Sequence, residues 1–229
     1  VTGKEYDEWY LSGDTSKEAP TPNFTKKREV GATAELLDKS GDILNQAVGL
    51  RLQGASARRE RRKRLTIAAR EEYSGSDTFQ ATLYEGVSTH AVMLKSYFPD
   101  TLASRLVENR SVAVQRSIPV RVFLNGEFLY DSFMLERYDK QYFRQHYNVD
   151  GFVLVKDGAV HDEDISSEDN IRYQEYMGWV SDTDFSDPQE WAAFQEQTDV
   201  QSYIDYIVTN YYLCNIDLSD NHNYVLWRS

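Results

Sequence analysis

The sequence predicts an α+β fold in two lobes, with an antiparallel β-rich first half and a mainly helical second half. Three observations carry this. Val120 to Leu124 and Phe128 to Leu135 are β runs joined by Asn125-Gly126, the pair that favours a type I′ turn because both central positions need positive φ. Alternating apolar segments precede that hairpin, as in Leu65, Ile67 and Ala69, the period of a strand. Late in the chain Val200, Tyr203, Ile204, Ile207, Val208, Tyr211 and Tyr212 recur at spacings of 3, 1, 3, 1, 3 and 1, one wide apolar face of a helix that ends near Cys214.

In chain order, residues 1–28 are polar and carry Pro20 and Pro22. They predict an extended lead-in that docks by Tyr6, Trp9, Tyr10 and Phe24. The first residue is Val rather than Met, so the natural N-terminus is expected to have been removed. The β-rich lobe is expected over residues 29–136. It opens with Val30 to Leu37 and Ile43 to Gln53 around the turn cluster Asp38-Lys39-Ser40-Gly41-Asp42. Pro99-Asp100 starts a helix carrying Leu102, Leu106 and Val107. The helical lobe is expected over residues 137–229, joined to the first near Leu135 to Asp139. It comprises a helix from Tyr138 to Tyr147, a buried strand from Phe152 to Val155 and an acidic loop from Gly158 to Asn170. Another helix starts at Asp187-Pro188-Gln189-Glu190, where Asp caps, Pro takes the first helical position and Trp191 and Phe194 face the core. The apolar helix of Val200 to Cys214 is expected to be buried, and a strand from Tyr224 to Trp227 closes the chain.

Composition narrows the function. The formal net charge is -12, from 37 acidic and 25 basic residues, which repels nucleic acid overall. The charge is uneven: Arg58 to Arg64 holds six basic residues and one acid, whereas Asp157 to Ser229 holds sixteen acids against Arg172 and Arg228. No apolar run approaches the roughly 20 residues of a membrane span. Cys214 is the one cysteine; it can close no internal disulfide, and its apolar surroundings predict a buried structural thiol. His90, His146, His161 and His222 show no metal-ligand spacing.

Two stretches could carry chemistry. Asp217 follows the apolar helix and precedes a β run, in the loop Asn215-Ile216-Asp217-Leu218-Ser219-Asp220-Asn221-His222-Asn223. A carboxylate with amide oxygens four and six residues later suits a metal and a hydroxyl group; the same residues also suit a polar turn whose side chains cap their own backbone. Lys63 shares strand parity with Leu65 and Ile67. That puts it on the inward face, as a phosphate-binding lysine requires, with Arg62 and Arg64 outward. The rest of the basic run reads as a solvated hairpin.

Three stretches, taken in order, resemble the CotH (spore coat protein H) kinase family, whose fold is protein-kinase-like. Arg51-Leu52-Gln53-Gly54-Ala55-Ser56-Ala57-Arg58 with Lys63-Arg64-Leu65-Thr66-Ile67-Ala68-Ala69-Arg70-Glu71-Glu72-Tyr73 is similar to its glycine/serine loop and lysine strand. Val122 to Phe128 through Leu135-Glu136 is similar to its hairpin and hinge. Asn215-Ile216-Asp217 with Asn221-His222-Asn223-Tyr224 to Arg228 is similar to its catalytic loop and the strand that follows. The resemblance implies an atypical Ser/Thr protein kinase that uses ATP and Mg2+ or Mn2+ on a protein substrate, in a bacterial spore coat or at the cell surface. It implies that Asp217 is the catalytic aspartate and that Lys63 holds the α/β-phosphates. Gly54, Ser56 and Arg58 would then lie over the phosphates, Glu136 beside the adenine, and Asn221 or Asn223 on the metal. Leu218 stands where the family usually has an aromatic, and Leu83 to His90 lacks the Arg and Asp expected there. The kinase pattern also needs a second metal-binding aspartate after the strand that follows the catalytic loop. The sequence ends at Ser229 without one, so a C-terminal truncation is expected. The alternative is a non-catalytic kinase-like module of a surface or coat assembly.

Overall fold

The computed structural model describes residues 8–9, 11–13, 24, 26, 28–54, 58, 62–96, 98–149, 152–156, 159–160, 167–216 and 224–228. They form an α+β structure in two compact units. One comprises Val1–Thr101 with Gln115–Tyr142; the other comprises Leu102–Val114 with Phe143–Ser229.

The first unit is organised by a six-stranded antiparallel sheet. Its strands are β1 (Glu29–Asp38), β2 (Gly41–Leu52), β3 (Leu65–Ala69), β4 (Ala91–Lys95), β5 (Ser117–Leu124) and β6 (Glu127–Glu136), in the order β1-β2-β3-β4-β6-β5. The β1–β2 turn forms because the Asp38 carboxylate accepts from the Ser40 backbone N–H at 2.6 Å, a local bond that competes with straight pairing. The β5–β6 turn has Asn125 at φ 52 and Gly126 at φ 82, the two positive values that its sequence predicts. Strand β4 was not expected: Ala91, Val92 and Leu94 are all buried, so it reads as a short apolar run without alternation.

One face of the sheet makes the core. Leu44 and Val48 of β2, Leu65 and Ala69 of β3, Val92 and Leu94 of β4 and Met134 of β6 pack with Phe79, Leu83 and Tyr84. Those three come from the segment between α1 (Glu71–Ser74) and β4. Full burial of each larger apolar side chain contributes about 1.5–3 kcal/mol. Gln46 anchors the covering segment: its amide donates to Ser74 Oγ and Thr78 O, and its oxygen accepts from Gln80 N–H at 2.8 Å.

Helix α2 runs Phe98–Leu106. Helix α3 runs Lys140–Tyr147 rather than from Tyr138, because Asp139 Oδ1 accepts the backbone N–H groups of Gln141 (3.1 Å) and Tyr142 (3.3 Å) and so sets the helix start.

In the second unit β7 (Val153–Lys156) pairs antiparallel with both β8 (Ala159–Val160) and β9 (Val225–Arg228). The acidic loop expected from Gly158 to Asn170 is thus cut into by β8. It is also cut by helix α4 (Ser167–Asp182), whose irregular apolar spacing gave no helical signal. Helix α5 (Pro188–Gln197) starts as predicted, with Asp187 accepting from Gln189 N–H at 2.8 Å. Trp179, Phe185 and Phe194 form an aromatic cluster with ring centroids 4.9–6.3 Å apart. Trp191 stacks on Phe194 but is 40% exposed, at the rim of that cluster rather than buried in the core as expected.

Helix α6 (Val200–Tyr212) is capped by Asp199, which accepts from Ser202 N–H at 2.9 Å. Its expected burial is not observed. Tyr203, Ile204 and Val208 are exposed, and Tyr211 and Tyr212 are 81% and 80% exposed. The apolar period is present, but among the described residues no element covers that face. Cys214 is likewise exposed rather than buried, because the helix ends before it and it occupies the turn.

Candidate functional site

Of the residues predicted to bind phosphate, Gly54 and Lys63 lie where β2 and β3 run out of pairing. The last rung is Gln53 N–H to Arg64 O, 2.8 Å. Gly54 then takes φ 93, a conformation open chiefly to glycine, and turns the chain away. Lys63 therefore lies two residues before β3 rather than within it. It keeps the parity of Leu65 and Ala69, which are in the core.

Two contacts hold Lys63 from the side chain and one from the backbone. Its Nζ donates to the Arg58 carbonyl and lies 5.5 Å from the centroid of the Phe24 ring, within cation–π range. The backbone carbonyl of Lys63 accepts from the Tyr130 hydroxyl, reaching across from β6. Burial raises the Tyr130 hydroxyl to about 12, so it is a proton donor at any physiological pH. Among the described residues no carboxylate pairs with the Lys63 ammonium. Arg58 is described and partly buried; Ser56 lies outside the described residues.

Glu136 is the last residue of β6 and is buried. Its carboxylate takes the Arg116 guanidinium at 2.9 Å and the Arg116 backbone N–H at 3.0 Å. Its backbone N–H donates to Arg116 O at 3.1 Å, and its carbonyl accepts from Gln115 Nε2 at 2.7 Å. Arg116 also donates to Glu85 O at 2.7 Å and lies 5.6 Å from the Tyr84 ring centroid. The side chain of Glu136 is thus committed within the protein, to a partner that no sequence spacing announces.

Asp217, Asn221 and Asn223 lie outside the described residues, as does His222. The elements that bracket their loop are described. Upstream, α6 closes with Cys214 N–H to Tyr211 O at 3.1 Å and Asn215 N–H to Asn210 O at 2.9 Å. These are the two bonds of a Schellman turn. Cys214 takes its left-handed position, with φ 49. Downstream, β9 pairs along β7 from Val225↔Lys156 to Arg228↔Val153. Trp227 fastens it further, with its ring centroid 5.2 Å from Phe143 and 4.8 Å from Tyr147.

Among the described residues no group of three His, Cys, Asp or Glu side chains is placed to hold a metal, and no helix is long and apolar enough to cross a membrane. A surface concavity of about 710 Å3 lined by Glu29, Arg70, Glu71 and Glu72 includes none of the predicted residues.

Residues 50–229 match the family model described as CotH kinase protein. No curated protein matches the chain.

Proposed function

Because this chain belongs to the CotH kinase protein family, we propose that it is an atypical Ser/Thr protein kinase. It would transfer the γ-phosphoryl group of ATP to serine in a coat or surface protein. The observation that carries this reading is the state of Lys63. Its ammonium is directed by a carbonyl and a ring face rather than neutralised by a carboxylate among the described residues. A lysine ammonium without a carboxylate partner among the described residues suits an anionic ligand.

In this reading the chain forms two kinase-like lobes, the β-rich one carrying Lys63 and the helical one carrying Asp217. Lys63 holds the α/β-phosphates, and Gly54, Ser56 and Arg58 form the loop over them. Glu136 lies beside the adenine and, with its carboxylate tied to Arg116, shapes that edge rather than bonding the base. Asp217 orients and accepts the proton of the substrate hydroxyl. Asn221 or Asn223 supplies a hard oxygen to a divalent cation, which fits the oxygen preference of Mg2+ or Mn2+. When bound, that cation neutralises triphosphate charge. Catalysis by such a set consists of positioning and charge stabilisation.

The test uses the natural full-length protein with ATP, Mg2+ or Mn2+ and casein as a generic seryl acceptor. Asp217→Ala is expected to abolish labelling with little change in melting temperature, and ATP with metal is expected to raise the melting temperature of the wild type. Wild-type labelling by Asp217→Ala would remove Asp217 from the mechanism. A melting curve unmoved by millimolar nucleotide would favour a non-catalytic module.

A further inference from the structure

One face of the sheet in the first unit carries a charge pattern that the nucleotide residues named above do not use. Glu29 of β1 and Arg51 of β2 are register partners, as are Arg51 and Thr66 of β3. Their side chains therefore share a face, opposite the apolar side chains of Leu50, Leu52 and Leu65. Arg70 follows β3 with extended backbone, φ -140 and ψ 131, and so keeps the parity of Thr66. Gly49 has the parity of Arg51, and its missing side chain matters: a Cβ there would sit 2.3 Å from Glu29 Oε1. Glycine lets the Glu29 side chain cross β2 to Arg70, which donates to both carboxylate oxygens at 2.9 and 2.8 Å.

The described carboxylates near this face are spent elsewhere. Glu29 is closed by Arg70. Asp139 Oδ1 accepts the first backbone N–H groups of α3, and its Oδ2 lies 2.9 Å from His90 Nε2 but 3.5 Å from Arg137 Nε, beyond ordinary hydrogen-bond length. Glu72 acts on Arg70 and Tyr73. Arg51 is half-buried, and among the described residues no hydrogen bond or close ion pair engages its guanidinium. Burial pulls that guanidinium below its ordinary value. The charge of Arg137 pulls it down next, ahead of the opposing effect of Glu29, and Arg70 and Arg58 add to the depression. Arg51 thus feels a neighbouring cation more strongly than it feels its carboxylate neighbour. Like charges held together by the fold are costly unless an anion stands between them.

We propose that Arg51 and Arg137, beside the Arg70–Glu29 pair, form a binding site for a dianionic phosphate group. Two guanidiniums match the charge of about −1.5 to −2 on a phosphate monoester at neutral pH, and their planar forks suit its oxygens. Free phosphate, phosphoserine and nucleotide phosphates share that chemistry. Neither arginine is among the residues assigned to ATP above. The site does not rest on the kinase reading, because its readout is binding and not labelling.

The melting temperature of the full-length protein is measured against inorganic phosphate, O-phosphoserine and ATP, each at constant ionic strength made up with chloride, so that screening is the same throughout. At least one of the three is expected to raise the wild-type value saturably. Arg51→Met and Arg137→Met are each expected to weaken that apparent affinity by about tenfold or more, through loss of a charge-assisted bond. Methionine keeps an unbranched stem, and Arg51→Met relieves the like-charge contact, so it is expected to melt no lower than the wild type without ligand. If it fails to fold, Arg137→Met carries the test. Arg121→Met, whose partner Asp131 is also exposed, is expected to respond as the wild type does. A response to phosphate and phosphoserine marks a site for the phosphate group itself, and a response to ATP alone that both variants lose marks the same site on a nucleotide. A wild-type melting temperature unmoved by all three compounds would overturn the proposal. So would a response undiminished in Arg51→Met and Arg137→Met, or one equally diminished in Arg121→Met.

Discussion

Arg116 and Glu136 form an ion pair at 2.9 Å in which the carboxylate side chain is 4% exposed and the guanidinium 37%. The pair closes the end of β6 and is reinforced by the Arg116 backbone N–H on the same carboxylate at 3.0 Å. Removing the arginine side chain strands a buried charge, which costs more than the pair itself contributes. Because Arg116 is partly solvated, Arg116→Ala is expected to cost roughly 2–3 kcal/mol, read as a lower midpoint in urea. Arg121→Ala is the control: it breaks a pair with Asp131 whose side chains are 77% and 73% exposed, and it should cost under about 0.5 kcal/mol. Equal midpoints for the two variants would show that burial of Glu136 does not govern the energetics of its pair.

Alkaline pH should destabilise the first unit through Tyr130. Its hydroxyl is raised by burial from 10.0 to about 12, so between those values the folded chain binds more protons than the unfolded one. Stability is then full below pH 10 and falls as pH rises toward 12. Tyr130→Phe loses the bond to the Lys63 carbonyl and about 1 kcal/mol at neutral pH. It should also lose the alkaline penalty, of about 2–3 kcal/mol. Denaturation midpoints of the two proteins should therefore converge and cross above pH 10. Parallel curves up to pH 12 would show that Tyr130 titrates alike in both states.

Cys214 occupies a left-handed position, φ 49, where an L side chain is strained and glycine is at ease. Its thiol is exposed, so its packing opposes no change. Cys214→Gly is expected to stabilise by about 0.5–1 kcal/mol, and Cys214→Val to destabilise by about 1 kcal/mol. Thermal unfolding checks both. A lower melting temperature for the glycine variant would mean that chain entropy outweighs relief of strain here.

Local backbone chemistry was legible in the sequence alone. Asn125-Gly126 demanded its turn because two adjacent positive φ values suit few residue pairs. Asp187-Pro188 demanded a helix start because one supplies the cap and the other cannot donate. The period of Val200 to Tyr212 demanded a helix. The motif order from Gly54 through Lys63 to Asn215-Ile216-Asp217 pointed to the family that residues 50–229 match. Each of these rules acts within a few residues. The coordinates decided what depends on distant partners. Strand β4, buried on both faces, and helix α4, irregular in its spacing, had no periodic signal to offer. The apolar face of α6 was real, but periodicity cannot say whether another element covers it, and Tyr211 and Tyr212 stand exposed. Lys63 left the strand because Gly54 opposite had left it. Its anchor, the Tyr130 hydroxyl, comes from 67 positions along the chain. Sequence spacing encodes dihedral preferences and faces, whereas which carbonyl meets which hydroxyl across a sheet is fixed only when strand order and register are set together.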